Sequence, residues 1–455
     1  MDHQQAGLSS APGGTTVVDG AAIIDGNGVH WSNARRYYVL ILLCVVALFN
    51  FIDRQIITIL MEPIKKEFGV SDSVMGLLTG LLFSSFYIAA GIPIAWLADR
   101  VARTRIIALS LGFWSVMTSI GGFATSFSML ALTRIGVAVG EAGATPASHS
   151  LLSDLFPLSQ RGMVLSLLGG VSAIGIGAGV FLGGWLAEAF DWRTAFLIVG
   201  IPGVFLAILV LLTLPEPPRG MSEGLGQQAD NRYPTSQVLK FLWRQKSYRY
   251  ACLTTATGAI GGYGTLTWGP TFYLRVHGMS PGDVGLWMGL SIACSLFFGQ
   301  LVNGFVTDRL GRFSLDWYLR IPGISVAIAI PFGLTCLFVD DWRWSVFFFG
   351  CFQFFLVPHN VSAYLVGQTV VSPRMRATAS VILILFTTLF GLGLSPFFIG
   401  MINDLLTPSF GVEAVRYSLM VAILFGVVCI AVAWLGSFWV RRDYAHMVAS
   451  LDAEK

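Results

Sequence analysis

Twelve segments of the chain are each apolar over roughly 20 residues or more, which is the length that an α-helix needs to cross the hydrocarbon core of a bilayer. The chain is 55% hydrophobic and only 12% charged, whereas soluble domains carry about 25% charged residues. A soluble core cannot bury this much apolar surface, so the sequence predicts an all-α, multi-pass membrane protein. The predicted spans are roughly 37–61, 73–98, 105–125, 128–151, 162–190, 194–214, 249–274, 283–307, 315–339, 342–368, 376–403 and 414–439.

Basic residues are distributed unevenly between the two sides of these spans. With the N-terminus inside, 19 Lys and Arg residues lie in cytoplasmic segments and 6 on the opposite side, while Arg54, Arg134 and Arg320 lie in spans or at their ends. The positive-inside rule then predicts that both termini are cytoplasmic. We expect the protein in a bacterial inner membrane or an equivalent plasma membrane.

Polar stretches divide the spans into two sets of six. The first 35 residues have neither the basic nor the apolar region of a signal peptide, and a Pro- and Gly-rich stretch separates spans six and seven, with a short amphipathic helix expected around 238–243. The predicted units are a disordered cytoplasmic tail (1–35), an N-terminal six-helix half (36–214), a cytoplasmic linker (215–248), a C-terminal six-helix half (249–440) and a cytoplasmic tail (441–455).

A short pattern recurs at the end of the second span of each half. It reads "AWLADRVARTR" at 95–105 and "GFVTDRLGRFS" at 304–314. The equivalent positions indicate a duplication, and parallel repeats of this kind are a transporter design with the substrate site between the halves.

The repeated pattern resembles the Gly-x-x-x-Asp-Arg-x-Gly-Arg motif of the major facilitator superfamily. The second copy matches fully, whereas the first has Ala95 and Ala102 where glycines are usual. The resemblance covers about 37–440 and implies the major facilitator fold, twelve helices in two halves with both termini cytoplasmic. It also implies that the charged motif residues gate movement between the halves, the alternative being simple topology signals. These residues are Asp99, Arg100, Arg103, Asp308, Arg309 and Arg312.

Two further stretches resemble the Spinster branch of that superfamily. "FNFIDRQ" (49–55) has an Asn-x-x-Asp-Arg in the first span, and "VGEAGAT" (139–145) has a Gly-Glu-Ala in the fourth. Eukaryotic members of this branch are associated with export of lysolipids and sphingosine 1-phosphate, so the resemblance implies an amphiphilic lipid substrate.

Four charges lie within apolar spans: Asp53 and Arg54 in the first, Arg134 and Glu141 in the fourth. Each would cost about 2.5–3.5 kcal/mol at the bilayer centre, so they must face a polar interior and compensate one another. Arg134 and Glu141 are seven residues apart and share one helix face. We expect Arg54 near Glu141 and Asp53 near Arg134.

Intramembrane carboxylates commonly form proton relays. We therefore favour a role for Glu141 and Asp53 in proton coupling, with the arginines tuning them or holding an anionic headgroup. A purely structural ion-pair lock and direct substrate binding alone are the alternatives.

The second half is poorer in buried charge and richer in aromatic rings, which predicts a cavity with one polar and one apolar wall. The alternative is that these rings face lipid or the core. His359 follows Pro358, so it either bonds a freed backbone carbonyl or lines the cavity. Seven glycines between 169 and 184 predict close helix packing, or a hinge. The candidate substrate-binding residues are Asn50, Tyr263, Trp268, His359 and Tyr364.

Several function classes are excluded by the sequence. The six cysteines lie in apolar segments without a C-x-x-C pair, so no disulfide or metal site is expected. The sequence has no phosphate-binding G-x-x-x-x-G-K-[ST] loop, which argues against an ATP-driven pump. A net charge of +3 is too small to indicate nucleic-acid binding. "HSLLSD" (149–154) has the His-x₄-Asp spacing of lipid acyltransferases, but nothing else supports an enzyme.

The sequence thus predicts a secondary active transporter without a cofactor that works by alternating access. We expect a monomer whose partners are the lipid bilayer, protons and an amphiphilic substrate such as a lysolipid or a sphingosine 1-phosphate-like molecule. The alternative is a proton-coupled symporter of small organic anions, such as sugar acids or carboxylates.

Overall fold

The computed structural model describes residues 16–18, 22–24, 30–98, 100–219, 221, 235–372 and 375–453. Within these residues, ten helical stretches are long and apolar enough to cross a membrane. One of the ten, Thr378–Ser437, contains two of the predicted spans, and the more polar helix Lys246–Arg275 lies where the seventh is predicted. All twelve predicted spans are therefore helical, and the protein is an integral multi-pass membrane protein.

The N-terminal half contains the first six spans, each of which is one helix except the second, where a π-helical turn interrupts the α-helix. The helices are α1 (Asn33–Phe68), α2 (Asp72–Gly76), the π-helical turn Leu77–Leu82, α3 (Phe83–Ala98), α4 (Arg103–Gly121), α5 (Phe127–Leu155), α6 (Leu158–Ala189) and α7 (Trp192–Thr213).

The C-terminal half follows the amphipathic linker helix that the sequence predicts, α8 (Thr235–Arg244). Its spans are more often broken, at Pro358 in the tenth span and at a second π-helical turn in the eleventh. The helices are α9 (Lys246–Arg275), α10 (Pro281–Gly311), α11 (Trp317–Phe338), α12 (Trp342–Leu356), α13 (Pro358–Thr369), α14 (Arg376–Phe386), the π-helical turn Thr387–Leu394, α15 (Ser395–Phe410), the 3₁₀ turn Gly411–Glu413, α16 (Ala414–Leu424), α17 (Gly426–Ser437) and α18 (Val440–Ala453).

Part of the segment predicted as a disordered tail is ordered. Strands β1 (Thr16–Val18), β2 (Ala22–Ile24) and β3 (His30–Ser32) pair antiparallel in that order, and they are rich in the β-branched residues that favour strands. Trp31 is almost fully buried beside α1, with the Arg35 guanidinium 4.6 Å from the centre of its ring. The prediction of disorder over 1–35 is therefore wrong for these residues.

Helix α6 packs tightly on two neighbours through its glycines. A Cβ at Gly175, Gly179 or Gly183 would meet the backbone of α1, because these residues recur every four positions on one face. On another face, Gly177 and Gly184 contact the backbone of α10 in the other half. This is the close-packing role that the sequence predicts for the glycines.

The two halves are also joined by polar contacts at one end of the bundle, which we call the closed end. The Arg275 guanidinium at the end of α9 forms ion pairs with Glu62 and with Asp72, the latter at 2.6 Å. The backbone N–H groups of Asp72 and Ser73 donate to the Asp404 carboxylate at 2.9 and 2.8 Å. These residues lie at the end of the spans away from both described chain ends.

The two π-helical turns contact each other where the N-terminal and C-terminal halves meet. A Cβ at Gly80 would meet the carbonyl oxygen of Gly393, and one at Gly76 would meet that of Pro396. The second and eleventh spans therefore approach each other at backbone distance, which only glycine permits here.

Replacing Gly177 by alanine should lower the melting temperature of the purified protein, because the new methyl group would overlap the Gly289 carbonyl and overpacking costs about 1–3 kcal/mol. Gly162→Ala on the same helix is the matched control. Nothing lies within 4 Å of a Cβ at Gly162, so that variant should melt at or above the wild-type temperature. Equal melting of the two variants would contradict tight packing at Gly177.

Candidate functional site

The four charges predicted within the membrane meet between α1 and α5; we call Asp53, Arg54, Arg134 and Glu141 the charge cluster. Arg54 donates to Glu141 Oε2 from Nε at 2.8 Å and from Nη2 at 2.5 Å. Arg134 Nη1 donates to Asp53 Oδ1 at 3.4 Å. These are the two pairs that the sequence predicts.

Burial differs between the two pairs. Asp53, Arg134 and Glu141 are each no more than 2% exposed, whereas the Arg54 side chain retains 13% exposure. Asp53 and Arg54 are adjacent in sequence and point about 100° apart on the helix. The Asp53–Arg134 pair is therefore sealed inside the N-terminal half, while Arg54 is the member of the cluster that a solute can reach.

Thr118 of α4, which was not among the predicted site residues, completes the environment of Asp53. Its hydroxyl lies 2.8 and 2.6 Å from the two Asp53 carboxylate oxygens and donates to them. Thr118 is 1% exposed, so a buried hydroxyl replaces the water that an ionised carboxylate would otherwise bind. Ser110, Ser115 and Ser119 carry hydroxyl groups in the same third span, so the sequence does not distinguish Thr118 from them.

Aromatic rings surround the Arg54 guanidinium. Its Cζ atom lies 5.2 Å from the ring centres of Phe51 and Tyr87 and 5.5 Å from that of Phe83. Cation–π contacts of a desolvated guanidinium are worth about 2 kcal/mol or more. These rings stabilise the positive charge at Arg54 independently of Glu141.

Several buried polar atoms of the site have no hydrogen-bond partner among the described residues. They include Glu141 Oε1, Arg134 Nε and both side-chain polar atoms of Asn50. Asn50 lies one helical turn before Arg54 and is 3% exposed. Unpaired buried groups cost about 1–3 kcal/mol each, so the buried part of the site is energetically costly.

Two of the aromatic substrate candidates lie near this face. Tyr263 of α9 packs against the apolar core of the N-terminal half and is close enough to Arg54 and Tyr87 to interact with them electrostatically. Tyr364 of α13 interacts in the same way with Tyr263 and Tyr87. Both halves therefore contribute rings around Arg54.

Trp268 does not join this group. It is 1% exposed, and its indole Nε1 donates to the Pro396 carbonyl at 2.9 Å. The prediction that Trp268 binds substrate is not supported by this position, because the indole is enclosed in the apolar core and its N–H is already paired.

His359 takes the first of its two predicted roles. Pro358 breaks the tenth span, and the Asn360 N–H bonds to the Val357 carbonyl at 3.3 Å. The freed Leu356 carbonyl then accepts from His359 Nδ1 at 2.6 Å. His359 Nε2 is buried without a partner among the described residues.

Among the described residues, no predicted gating residue forms an ion pair across the two halves in this conformation. Asp99 lies outside the described residues, Arg100 stacks over Trp96 at 3.5 Å, and the second-copy residues are exposed. Arg103 is buried within the N-terminal half, where it pairs with Asp154 and Glu216. Both carboxylates are distant from Arg103 in sequence and were missed. The exposed second-copy residues are Asp308, Arg309 and Arg312.

The Arg103 site should make stability depend on pH. Burial raises the pKa of Glu216, but hydrogen bonds from the Thr104 N–H and from Arg103 outweigh burial and hold it below its ordinary value of 4.5. The ionised carboxylate therefore stabilises the fold above pH 4.5, and this contribution is lost as the pH falls through the lower folded-state pKa.

In thermal unfolding scans across pH, Glu216→Gln should be less stable than the wild type at pH 7 by about 1 kcal/mol or less, since the pair is partly exposed. The difference should shrink below pH 4.5. A difference that stays constant across that range would contradict the assignment.

The Arg54–Glu141 pair should show strong coupling in a double-mutant cycle. Either Arg54→Gln or Glu141→Gln leaves a buried charge without its partner, which costs about 3–5 kcal/mol, whereas the double variant leaves none. The double variant should therefore unfold at a higher temperature than additivity predicts.

The control cycle uses Arg343→Gln and Asp341→Asn, an exposed pair 4.0 Å apart. Its coupling should stay below about 1 kcal/mol. Additive effects at Arg54 and Glu141 would show that the pair contributes no more than a surface contact.

Comparisons with known proteins agree with this architecture. The family model described as "Major Facilitator Superfamily" matches residues 43–396. An "MFS-type efflux pump" of Mycolicibacterium smegmatis is 33% identical over 93% of this chain and 97% of the relative. The solved structure of a bacterial homologue of the human lysosomal transporter Spinster, inward-facing and unoccupied, has a TM-score of 0.82 at 29% identity, over 91% of this chain and 99% of that one.

More distant relatives include two transporters named for different substrates. The sphingosine-1-phosphate transporter of Mus musculus is 27% identical over 79% of this chain and 68% of its own length. The probable galactarate/D-glucarate transporter of Bacillus subtilis is 28% identical over 68% and 73%. The chain is a transporter rather than an enzyme: it belongs to the major facilitator superfamily and resembles that superfamily's Spinster branch.

Proposed function

We propose that the protein is a proton-coupled transporter of anionic amphiphiles, such as lysolipids or sphingosine 1-phosphate-like molecules, that works by alternating access. The observation that carries this proposal is the Arg54–Glu141 pair. It lies where both halves contribute rings, and Arg54 alone in the charge cluster keeps access to the interior.

Proton coupling follows from competition for Arg54. While Glu141 is ionised, two hydrogen bonds hold the guanidinium to Oε2. A proton on Glu141 would remove the charge that makes these bonds strong, and Arg54 would then be free to bind an anionic headgroup. Proton and anion therefore favour the same state of the cluster, which is the requirement for coupled transport.

In this scheme Asp53 has a supporting role. Arg134 and Thr118 hold its carboxylate away from the interior, so it balances the charge of Arg134 and sets the field at Glu141. Its own protonation completes the relay that we propose for the two carboxylates.

The aromatic surroundings favour an amphiphile over a small polar solute. Tyr87, Tyr263 and Tyr364 are partly exposed and offer apolar ring faces with hydroxyl groups beside a single accessible cation. A headgroup at Arg54 with its chain against these rings would bury apolar surface. The relative named for sphingosine-1-phosphate supports this reading.

A second candidate is a proton-coupled symporter of small organic anions. The Bacillus relative named for galactarate and D-glucarate supports it, and Arg54 with the unpaired Asn50 would suit a carboxylate bearing hydroxyl groups. In both cases the anion is held at the same arginine.

We infer that the described conformation is inward-facing with both termini in the cytoplasm. The halves are joined by ion pairs at the closed end, and the matched Spinster homologue was solved inward-facing. In the opposite state the exposed ends of the second and eighth spans would meet, which is where we place the gating role of Asp99, Arg100, Arg103, Asp308, Arg309 and Arg312. A single chain would form the whole path.

The test is proton movement in liposomes that contain the purified protein and a trapped pH-sensitive dye. Adding a lysolipid or sphingosine 1-phosphate should trigger proton flux, and Glu141→Gln should reduce the flux at least tenfold. Asp341→Asn, an exposed carboxylate outside the cluster, should leave the flux unchanged. The reason is that Glu141 pairs with Arg54 and its protonation releases that guanidinium, whereas Asp341 lies outside the charge cluster.

Three other outcomes would change the proposed substrate or the proposed role of the charge cluster. Flux triggered only by glucarate would establish the organic-anion symporter. Lipid movement without proton flux in the wild type would make the charge cluster a structural lock, and unchanged flux in Glu141→Gln would remove that carboxylate from the coupling.

A further inference from the structure

A cavity of about 360 Å³ lies far from the charge cluster, where the linker helix α8, the first turn of α9 and the first turn of α18 meet. We call it the basic cavity. Its polar lining includes Arg244, Lys246, Arg442, Asp443 and His446, with Trp439 as one wall.

The charges of the basic cavity are unbalanced. Asp443 is its one carboxylate. Its Oδ2 accepts from the Ser247 N–H and from the Ser247 hydroxyl, both at 2.7 Å, so Asp443 caps the start of α9. Within the described part of the chain, neither Arg244, Lys246 nor Arg442 forms an ion pair with a carboxylate.

The neighbouring Arg441 shows that pairing is available to this segment. Arg441 Nε lies 2.8 Å from Asp316 Oδ2 and points away from the cavity lining. Lys246 and Arg442 instead lie over the Trp439 ring, at 3.7 and 5.4 Å from its centre. Stacking on one ring holds both cations beside the cavity and leaves their N–H groups available.

The basic cavity lies at the level expected for lipid headgroups. Val238 and Leu242 bury one face of α8 against the C-terminal half, while Trp243 is 51% exposed. At the end of the last span, Leu435 and Phe438 are also exposed. An amphipathic helix with an exposed tryptophan lies in the plane of the interface, so apolar surface for acyl chains adjoins the cavity.

We propose that the basic cavity binds the phosphate group of an anionic membrane phospholipid. Arg244 and Arg442 offer guanidinium forks that match phosphate oxygens, Lys246 and His446 add donors, and the lipid chains lie over the exposed end of the last span. The bound lipid fastens the linker helix and α18 to the C-terminal half. This site is independent of the proposed transport function.

The test is native mass spectrometry of the full-length protein in detergent, titrated with phosphatidylglycerol, phosphatidylcholine or inorganic phosphate. Phosphatidylglycerol should bind the wild type at least tenfold more tightly than phosphatidylcholine. Arg244→Gln combined with Arg442→Gln should weaken phosphatidylglycerol binding by roughly 10- to 30-fold, as expected for the loss of two basic contacts.

The matched control combines Lys240→Gln with Arg249→Gln. These exposed residues lie on α8 and α9, carry the same total charge and do not line the cavity, so phosphatidylglycerol affinity should change less than threefold. Thermal unfolding in phosphatidylcholine should show that both double variants remain folded.

Three results would overturn the proposal. Equal losses in the two double variants would mean diffuse attraction to a basic surface rather than a site. Equal affinity of the wild type for the two lipids would remove the role of the net negative charge. Inorganic phosphate that binds while phosphatidylglycerol does not would assign the cavity to a soluble anion.

Discussion

The low dielectric of the membrane interior requires every charge within it to have a partner, and the structure of the N-terminal half follows from meeting that requirement for Asp53, Arg54, Arg134 and Glu141. Because Asp53 and Arg54 are adjacent, α1 presents them in two directions and lies where both can be paired. One pair is sealed by Thr118, whereas the other meets the interior. Because Asp53 and Arg54 point in different directions, the Asp53–Arg134 pair is buried and the Arg54–Glu141 pair is accessible.

Movement between the halves is constrained by how their spans touch. Glycines bring α6 to backbone distance from α1 on one face and from α10 on the other. Such seams have few side chains to disengage, so helices can shift along them at low cost. The ion pairs of Arg275 with Glu62 and Asp72, in contrast, are either formed or broken and do not slide. Glycine seams and ion pairs together suit two halves that rock between discrete states.

The spans, the division into halves and the pairing of the charges could be predicted from the sequence. Each depends either on the composition of one segment or on the balance of charge between two residues. Hydropathy locates spans, and charge balance in an apolar medium leaves few ways to pair two cations with two anions. The amphipathic helix α8 was predictable for the same reason.

What the sequence could not give depends on contacts distant along the chain. Thr118 and Glu216 acquire roles only because folding brings them to Asp53 and Arg103. The buried position of Trp268 was not predicted, because the sequence does not show whether an aromatic residue in a span faces a cavity or the core. The short strands before α1 were missed because composition alone described that segment.

The π-helical turn at Leu77–Leu82 has a consequence for how the second span is mapped. A π turn adds one residue without adding a turn, so everything beyond it is offset by about 100° from the face that precedes it. A helical wheel drawn through the whole span would place the residues of α3 on the wrong side. The face of the second span that is accessible to a solvent-borne label will therefore differ before and after the π turn. The change occurs where this span contacts the eleventh span.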